Sequence, residues 1–527
     1  MKYSNLDTLS SFAALKELEP IDIKKALSSQ RITDYSVTVS DELTYNYAAM
    51  PIGEHHIAAF KALAEEQELI AKYRALLSGH IINTGEGRQV LHQLTRGRVL
   101  GDNSRVESEG IERGQFYRDQ LSAIRSFSDD VRNGKITGST GKAFNTVVQI
   151  GIGGSDLGPR ALYLALRGWA KGEGIRMLDA AFISNVDPDD ASAVLETIDF
   201  ETTLFILVSK SGTTQETLTN FSLVQQKAQQ KDIRGFDITR HFAAVTSSTS
   251  PLASSTDVMA SFYIDDYIGG RYSSSSAVGA LVLSLSYGAE TVDSFLAGAH
   301  EADKRALQED ITQNASLLDA LIGVYLRNVV GYPTTAILPY SQALSRFPAH
   351  LQQLDMESNG KQVNREGEAI SYSTGPVIFG EPGTNGQHSF YQLLHQGTDP
   401  VPLQFIGFKE NQWKEDIVTD GSTSQKKLNA NLIAQIVAFA QGKDDESGNK
   451  RFSGNRPSSL LYGNRLTPST LGALLAHYEN KVMFQGFIWN INSFDQEGVQ
   501  LGKVLAKKVL DGAEGEEQLQ AFMKLFK

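Results

Sequence analysis

Two kinds of hydrophobic periodicity take turns along the chain, and their alternation divides it. Near the start, Ile57, Phe60, Leu63 and then Leu69, Tyr73, Leu76 recur close to every 3.6 residues, which predicts helices with one buried face. Residues 1–115 read on this basis as a mainly helical segment packed around the remainder. From about residue 120 short apolar runs alternate with helical stretches: Thr146 to Ile150, a helix near Ala161 to Trp169, Ala180 to Val186, Leu204 to Val208, a helix to about Gln229, and Phe242 to Thr246. Strands interleaved with helices predict a parallel sheet. A second alternating block, from about 320 to 505, has strands expected at Thr335 to Pro339, Val377 to Phe379, Leu403 to Phe408 and Ser459 to Tyr462. Leu471, Leu474, Leu475, Tyr478 and Val482 then mark a long amphipathic helix, and the charged end from about 510 to Lys527 a helical tail. The fold class is α/β.

Composition narrows the function classes. A chain of 527 residues exceeds what one hydrophobic core usually organises, so two or three domains are expected. A net charge of -12 argues against a sequence-independent nucleic-acid or anionic-membrane binder, which needs a basic surface. No apolar run reaches the roughly 18 residues of a membrane span, and MKYSNLDTLS lacks the basic-then-apolar order of a signal peptide, so the cytoplasm is the expected location. With no cysteine, disulfides, thiolate metal sites and cysteine nucleophiles drop out. The neighbours Glu54, His55 and His56 lack the one-turn spacing of ligands on a common helical face, so no metal is assigned.

Two loops carry the clearest chemistry. Gly151 to Pro159 (GIGGSDLGP) and Ser209 to Thr217 (SKSGTTQET) each follow a strand-like run and precede a helical pattern, so backbone N–H groups and hydroxyls can converge on an anion. Neither has the spacing of a nucleotide triphosphate loop or of a dinucleotide fingerprint, which leaves a phosphorylated metabolite as the better ligand.

Four further segments offer acid-base groups. In QQLDMESNGK the helix should stop at Asn359 and Gly360, placing Gln353 and Glu357 on one face. A carboxylate held near a helix end suits a general base, although a lone glutamate is in most cases a solvated surface residue. In GEPGTNGQHSFYQ, His388 lies just beyond two glycines, where an imidazole can both take and give a proton or simply bond to backbone. Arg271 follows a double glycine in DYIGGRYSSSS; it can stabilise an oxyanion or form a structural ion pair. In FDQEGVQLGK, Gln496 and Lys503 are seven residues apart on roughly one helical face, and Lys503 can donate to a sugar ring oxygen or snorkel to water.

Taken in order, GIGGSDLGP, SNVD at Ser184, SKSGTTQETLTN, GGRYS, QQLDMESNGK, GEPGTNGQH, GNRPS at Gly454, LTPSTLGALLAHYE and NSFDQEGVQLGK resemble the phosphoglucose isomerase family over most of the chain. The resemblance implies two sugar isomerase (SIS) domains, each a five-stranded parallel sheet flanked by helices. They are placed at residues 116–300 and 301–507, with residues 1–115 as the N-terminal segment and 508–527 as the tail. It implies a homodimer that uses neither metal nor other cofactor and interconverts glucose 6-phosphate and fructose 6-phosphate. Gly154, Ser155, Ser209, Lys210 through its backbone, Ser211 and Thr214 would surround the phosphate. His388, from the neighbouring subunit, would open the sugar ring with Lys503. Glu357 would then move a proton between C1 and C2 through a cis-enediolate stabilised by Arg271, with Gln353 and Gln496 positioning the sugar. Gly212, Ser274, Ser275, Glu497 and Gln500 depart from residues common among relatives. Two other functions fit the same residues, a dual phosphoglucose and phosphomannose isomerase and a noncatalytic sugar-phosphate sensor. Gln496 speaks against the first, and the lack of a basic module against the second.

Overall fold

The computed structural model describes residues 1–526. Its first alternating block builds a sheet of five parallel strands in the spatial order Ala260–Tyr263, Phe242–Thr246, Thr203–Val208, Thr146–Ile150, Asp179–Ile183. All six residues of Thr203–Val208 are buried, as a central strand covered by helices on both faces requires. The edge strand Ala260–Tyr263 has a mixed pattern, which is why the hydrophobic runs alone do not announce it. The fold class is α/β, with parallel sheets flanked by helices.

The second sheet departs from the five parallel strands implied by the resemblance. It has six strands, ordered Ser36–Ser40, Leu43–Asn46, Ser458–Gly463, Leu403–Phe408, Thr334–Pro339, Val377–Phe379. The last four are parallel, and the first two form a hairpin that joins antiparallel through Leu43–Asn46. The reading of residues 1–115 as mainly helical is corrected at this hairpin. Val37, Val39, Leu43 and Tyr45 are buried at alternate positions, a short period-2 signal inside a helical segment. The hairpin covers an edge that Ser458–Gly463 would otherwise leave unpaired.

The helix Pro468–Ile488 is also corrected. It is buried on all sides rather than amphipathic, with Ser469 alone outside the core, because it runs between Ala289–Arg305 and Ala315–Tyr325. Its contact with Ala289–Arg305 is backbone to backbone: a Cβ on Gly472 would fall 1.9 Å from the Phe295 carbonyl oxygen, and one on Gly298 would fall 1.9 Å from that of Ser469.

The chain ends in two exposed helices, Gln500–Leu510 and Glu517–Met523, so the first of these crosses the expected start of the tail. Among the described residues, no helix is long and apolar enough to cross a membrane.

Candidate active site

In the first sheet the chain leaves Thr146–Ile150 toward one edge and Thr203–Val208 toward the other, so these neighbouring strands form the topological switch point. Their carboxyl ends open a crevice suited to ligands. Both glycine-rich loops start there. Gly154 lies against the backbone of the Arg271 loop, since a Cβ on it would fall 2.1 Å from the Gly270 carbonyl oxygen. In the second loop the Ser209 hydroxyl accepts from the Gly212 N–H at 3.1 Å and pairs with the Thr214 hydroxyl at 2.9 Å. The Ser211 hydroxyl accepts from the Thr213 N–H at 3.2 Å. Gly212 turns the chain with φ +67°, a left-handed conformation that favours glycine. Thr214 then holds the N-cap position of the helix Gln215–Gln230 without a side-chain cap bond, its hydroxyl being paired with Ser209 instead.

The Lys210 side chain turns away from the loop. Its Nζ donates to the Ile268 carbonyl at 3.0 Å and lies 3.8 Å from Asp266. Burial holds this ammonium below its ordinary pKa. Lys210 therefore clamps the Ser209 to Thr217 loop to the segment that carries Arg271.

Arg271 is fully buried and all three of its nitrogens are engaged. Nε donates to Ser358 Oγ at 2.7 Å, Nη2 donates to the carbonyls of Ser493 and Asp495 at 2.6 and 2.8 Å, and Nη1 lies 3.4 Å from both Glu357 Oε2 and Gln496 Oε1. The planar fork of a guanidinium meets these directions together, which a lysine cannot do. The helix Phe347–Gln352 continues through a π turn, Gln353–Glu357, to Asn359, the expected stop. The extra residue in that turn sets Gln353 and Glu357 at an angle a regular helix would not give them. The Gln353 amide approaches Gly153 of the first loop, its Nε2 3.3 Å from where a Cβ would sit. Its Oε1 is buried without a hydrogen-bond partner.

Three residues that sequence reasoning did not single out complete the frame. Ser358 takes the Arg271 Nε bond and also pairs with the Tyr272 hydroxyl at 2.9 Å. Lys361 bonds Asp495 at 2.6 Å and so holds the loop leading to Gln496 against the end of the π turn. Only the ESNGK run hints at Ser358 and Lys361; Asp495 joins them across more than a hundred residues of sequence. A cleft of about 780 Å3 opens beside Glu357 and Gln496, lined also by Lys361, Arg365 and Asp495.

Arg271, Glu357 and Gln496 thus meet, with Gln353 of the same turn against Gly153 of the first loop, and neither His388 nor Lys503 is bonded into this group. His388 ends a short turn, Asn385–His388, beyond the strand Val377–Phe379, and Lys503 is exposed on Gln500–Leu510. Among the described residues no hydrogen bond or ion pair joins either to Glu357 or Arg271.

The family model for phosphoglucose isomerase matches residues 46–524. The chain is 60% identical over 519 residues to the glucose-6-phosphate isomerase of Treponema denticola, covering 97% of each. It is 47% identical to that of Borreliella burgdorferi, covering 97% of this chain and 96% of the other. A crystal structure of a glucose-6-phosphate isomerase from Chlamydia trachomatis superposes with a TM-score of 0.92 at 43% identity, covering 99% of both chains. With the family model matched over most of its length and relatives covered almost end to end at these identities, the chain belongs to the phosphoglucose isomerase family.

Proposed function

We propose that the chain interconverts D-glucose 6-phosphate and D-fructose 6-phosphate, with Glu357 as the proton-transferring base. The contact between Glu357 and Arg271 carries this reading: a carboxylate with its side chain 21% exposed sits 3.4 Å from a buried cation, so base and anion stabiliser face the same space. The phosphate is held by the hydroxyls of Ser155, Ser209, Ser211 and Thr214 and by the N–H groups of Gly154 and Lys210. Gln353 and Gln496 orient the open-chain sugar.

In the aldose-to-ketose direction, Glu357 removes the proton from C2 and the electron pair moves onto O1, giving a cis-enediolate. Arg271 disperses the charge that builds on the two oxygens. The protonated Glu357 returns its proton to C1, the hydroxyl proton passes from O2 to O1, and C2 becomes the carbonyl. The exchange has no net redox change, so proton transfer within a fixed site suffices. A positioned base contributes about 10²–10⁴-fold to such a step.

Opening the pyranose ring is assigned to His388 and Lys503, with His388 reaching the site of a second copy in a homodimer. Two features support this reading. Among the described residues no hydrogen bond or ion pair joins His388 to Glu357 or Arg271, and the terminal helices leave Leu501, Val504, Leu510 and Phe522 exposed, an apolar surface that a second copy would cover.

The test is to incubate the purified chain with fructose 6-phosphate in excess chelator, coupled to a glucose-6-phosphate dehydrogenase, with mannose 6-phosphate in parallel. Chelator-resistant turnover of fructose 6-phosphate alone is expected. Turnover of both substrates would indicate the dual isomerase, and saturable binding without turnover the sensor.

A further inference from the structure

Arg271 ends on the main-chain carbonyl of Asp495, and the groups that hold Asp495 lie outside the reaction set out above. Four hydrogen bonds converge on this residue. Its carbonyl accepts from Arg271 Nη2 at 2.8 Å and from Lys361 Nζ at 2.9 Å, its Oδ1 accepts from Lys361 Nζ at 2.6 Å, and its Oδ2 accepts from Asn492 Nδ2 at 2.7 Å. The next residue is Gln496, whose Oε1 lies 3.4 Å from Arg271 Nη1. A shift of Asp495 therefore displaces Arg271 and Gln496 together.

The N-terminal segment supplies the outer support. The hairpin of Ile81–Asn83 and Arg88–Gln89 turns past Gly85, where a Cβ would fall 3.1 Å from Asp495 Oδ2 and 3.2 Å from Asn492 Nδ2. Asn83 is buried; its Oδ1 accepts from Asn492 Nδ2 at 2.9 Å, and its amide donates to the Phe494 carbonyl at 3.4 Å. Asn492 is thus gripped between Asn83 and Asp495.

Charge explains why the residue at this junction is an aspartate. Two cations, Arg271 and Lys361, share one neutral carbonyl, an arrangement that needs a compensating negative charge beside it. The Asp495 carboxylate is that charge. The Lys361 and Asp495 side chains are only 15% and 17% exposed, so their pairing is screened less than a surface pair. Burial lowers the Lys361 ammonium from its ordinary pKa, and Asp495 opposes this more than Glu357 does. Lys361 thus stays with Asp495, and Glu357 is left to face Arg271.

We propose that Asp495 is a positioning residue of the site: its carboxylate, held by Lys361 and Asn492, fixes the carbonyl that aims Arg271 and the backbone that presents Gln496. The phosphate end has its own support, since the hydroxyls of Ser209, Ser211 and Thr214 bond within their own loop. The inference rests on Arg271 and Gln496 serving the sugar as proposed above.

The experiment measures kcat and KM for fructose 6-phosphate, with inhibition by inorganic phosphate, in the unsubstituted enzyme, Asp495→Asn, Lys361→Met and the double variant. In Asp495→Asn the compensating charge is gone and an amide N–H meets the Asn492 donor. This variant should lose about 10–100-fold in kcat, the scale of a misaimed group, and its KM should rise as Gln496 shifts. Inhibition by inorganic phosphate, which reads the loops alone, should stay within about twofold. Because the two residues act through one ion pair, the double variant should fall no more than about threefold below the poorer single variant, well short of the product of the two losses. A kcat for Asp495→Asn within about threefold of the parent overturns the proposal. Phosphate inhibition that weakens as much as kcat, the signature of a loosened fold, also overturns it, as do losses that multiply in the double variant. If Asp495→Asn does not fold, Lys361→Met decides, and a parent-like kcat or a matched loss of phosphate inhibition overturns the proposal. An active enzyme that does not depend on Asp495 refutes this inference alone, whereas no turnover in the unsubstituted enzyme refutes the functional reading beneath it.

Discussion

Arg271 and Glu357 face each other at 3.4 Å, yet only Arg271 is fully buried; Glu357 keeps a side chain 21% exposed. The arginine is anchored by Ser358 and two backbone carbonyls, so it does not depend on Glu357 for its position. Glu357 is the partner free to exchange a contact with the arginine for one with a sugar.

This asymmetry separates two substitutions. Glu357→Gln removes the base without changing bulk and should lower kcat by about 10²–10⁴-fold with KM nearly unchanged. Arg271→Lys cannot satisfy the Ser358 hydroxyl and both carbonyls together, so it should lower kcat and the melting temperature. Steady-state kinetics with thermal unfolding distinguishes them; a Glu357→Gln enzyme within about tenfold of the parent would remove Glu357 from its role.

The proposal that His388 serves the site of a second copy leads to a complementation test. Chains carrying His388→Ala and chains carrying Glu357→Gln, each nearly inactive alone, should regain part of the activity when unfolded and refolded together, because one of the two mixed sites is then intact. No recovery in heterodimers isolated with two different affinity tags would place both residues in a site of one chain.

Asp355, buried in the π turn two residues before Glu357, gives the fold a pH dependence of definite sign. In the unfolded chain its carboxyl ionises near the ordinary value of about 3.9, whereas in the folded chain it holds its proton up to about 7. Within that window the folded state binds more protons, so this contribution to stability is complete at the acid end and lost as pH rises to neutrality. The melting temperature of Asp355→Asn relative to the parent should therefore rise between about pH 4 and pH 8. A difference independent of pH would mean that the carboxyl is not held protonated.

The close crossing at Gly472 predicts a defect of a different kind. A methyl group there meets the Phe295 carbonyl, so Gly472→Ala should force the helices apart and destabilise the fold by about 1–3 kcal/mol or more. The fraction that folds should keep a normal KM, because Gly472 lies in the helix core away from the phosphate loops. Denaturant unfolding and a KM measurement on the same preparation check both halves.

Much of the site was legible in the chain because its parts are local. A strand, a glycine-rich turn and a helix start occupy a dozen residues, so GIGGSDLGP and SKSGTTQET announce anion loops before their neighbours are known. The end at Asn359 of the helix that carries Glu357 was legible for the same reason, as were most strands of both sheets. The tertiary structure decided what depends on partners distant in sequence. The hairpin Ser36–Ser40 and Leu43–Asn46 has a pattern too short to outweigh the helices around it, and the edge of Ser458–Gly463 selects it as strands. Pro468–Ile488 presents apolar residues at helical spacing whether one face or all faces are covered, and two flanking helices settle the matter. The π turn follows from contacts on both its sides, and the surroundings of Arg271 and Asp355 come from segments far apart in the chain. Residue type and spacing specify which chemistry a segment can offer, but burial, charge compensation and hydrogen-bond direction are properties of neighbours, and neighbours are assigned by the fold.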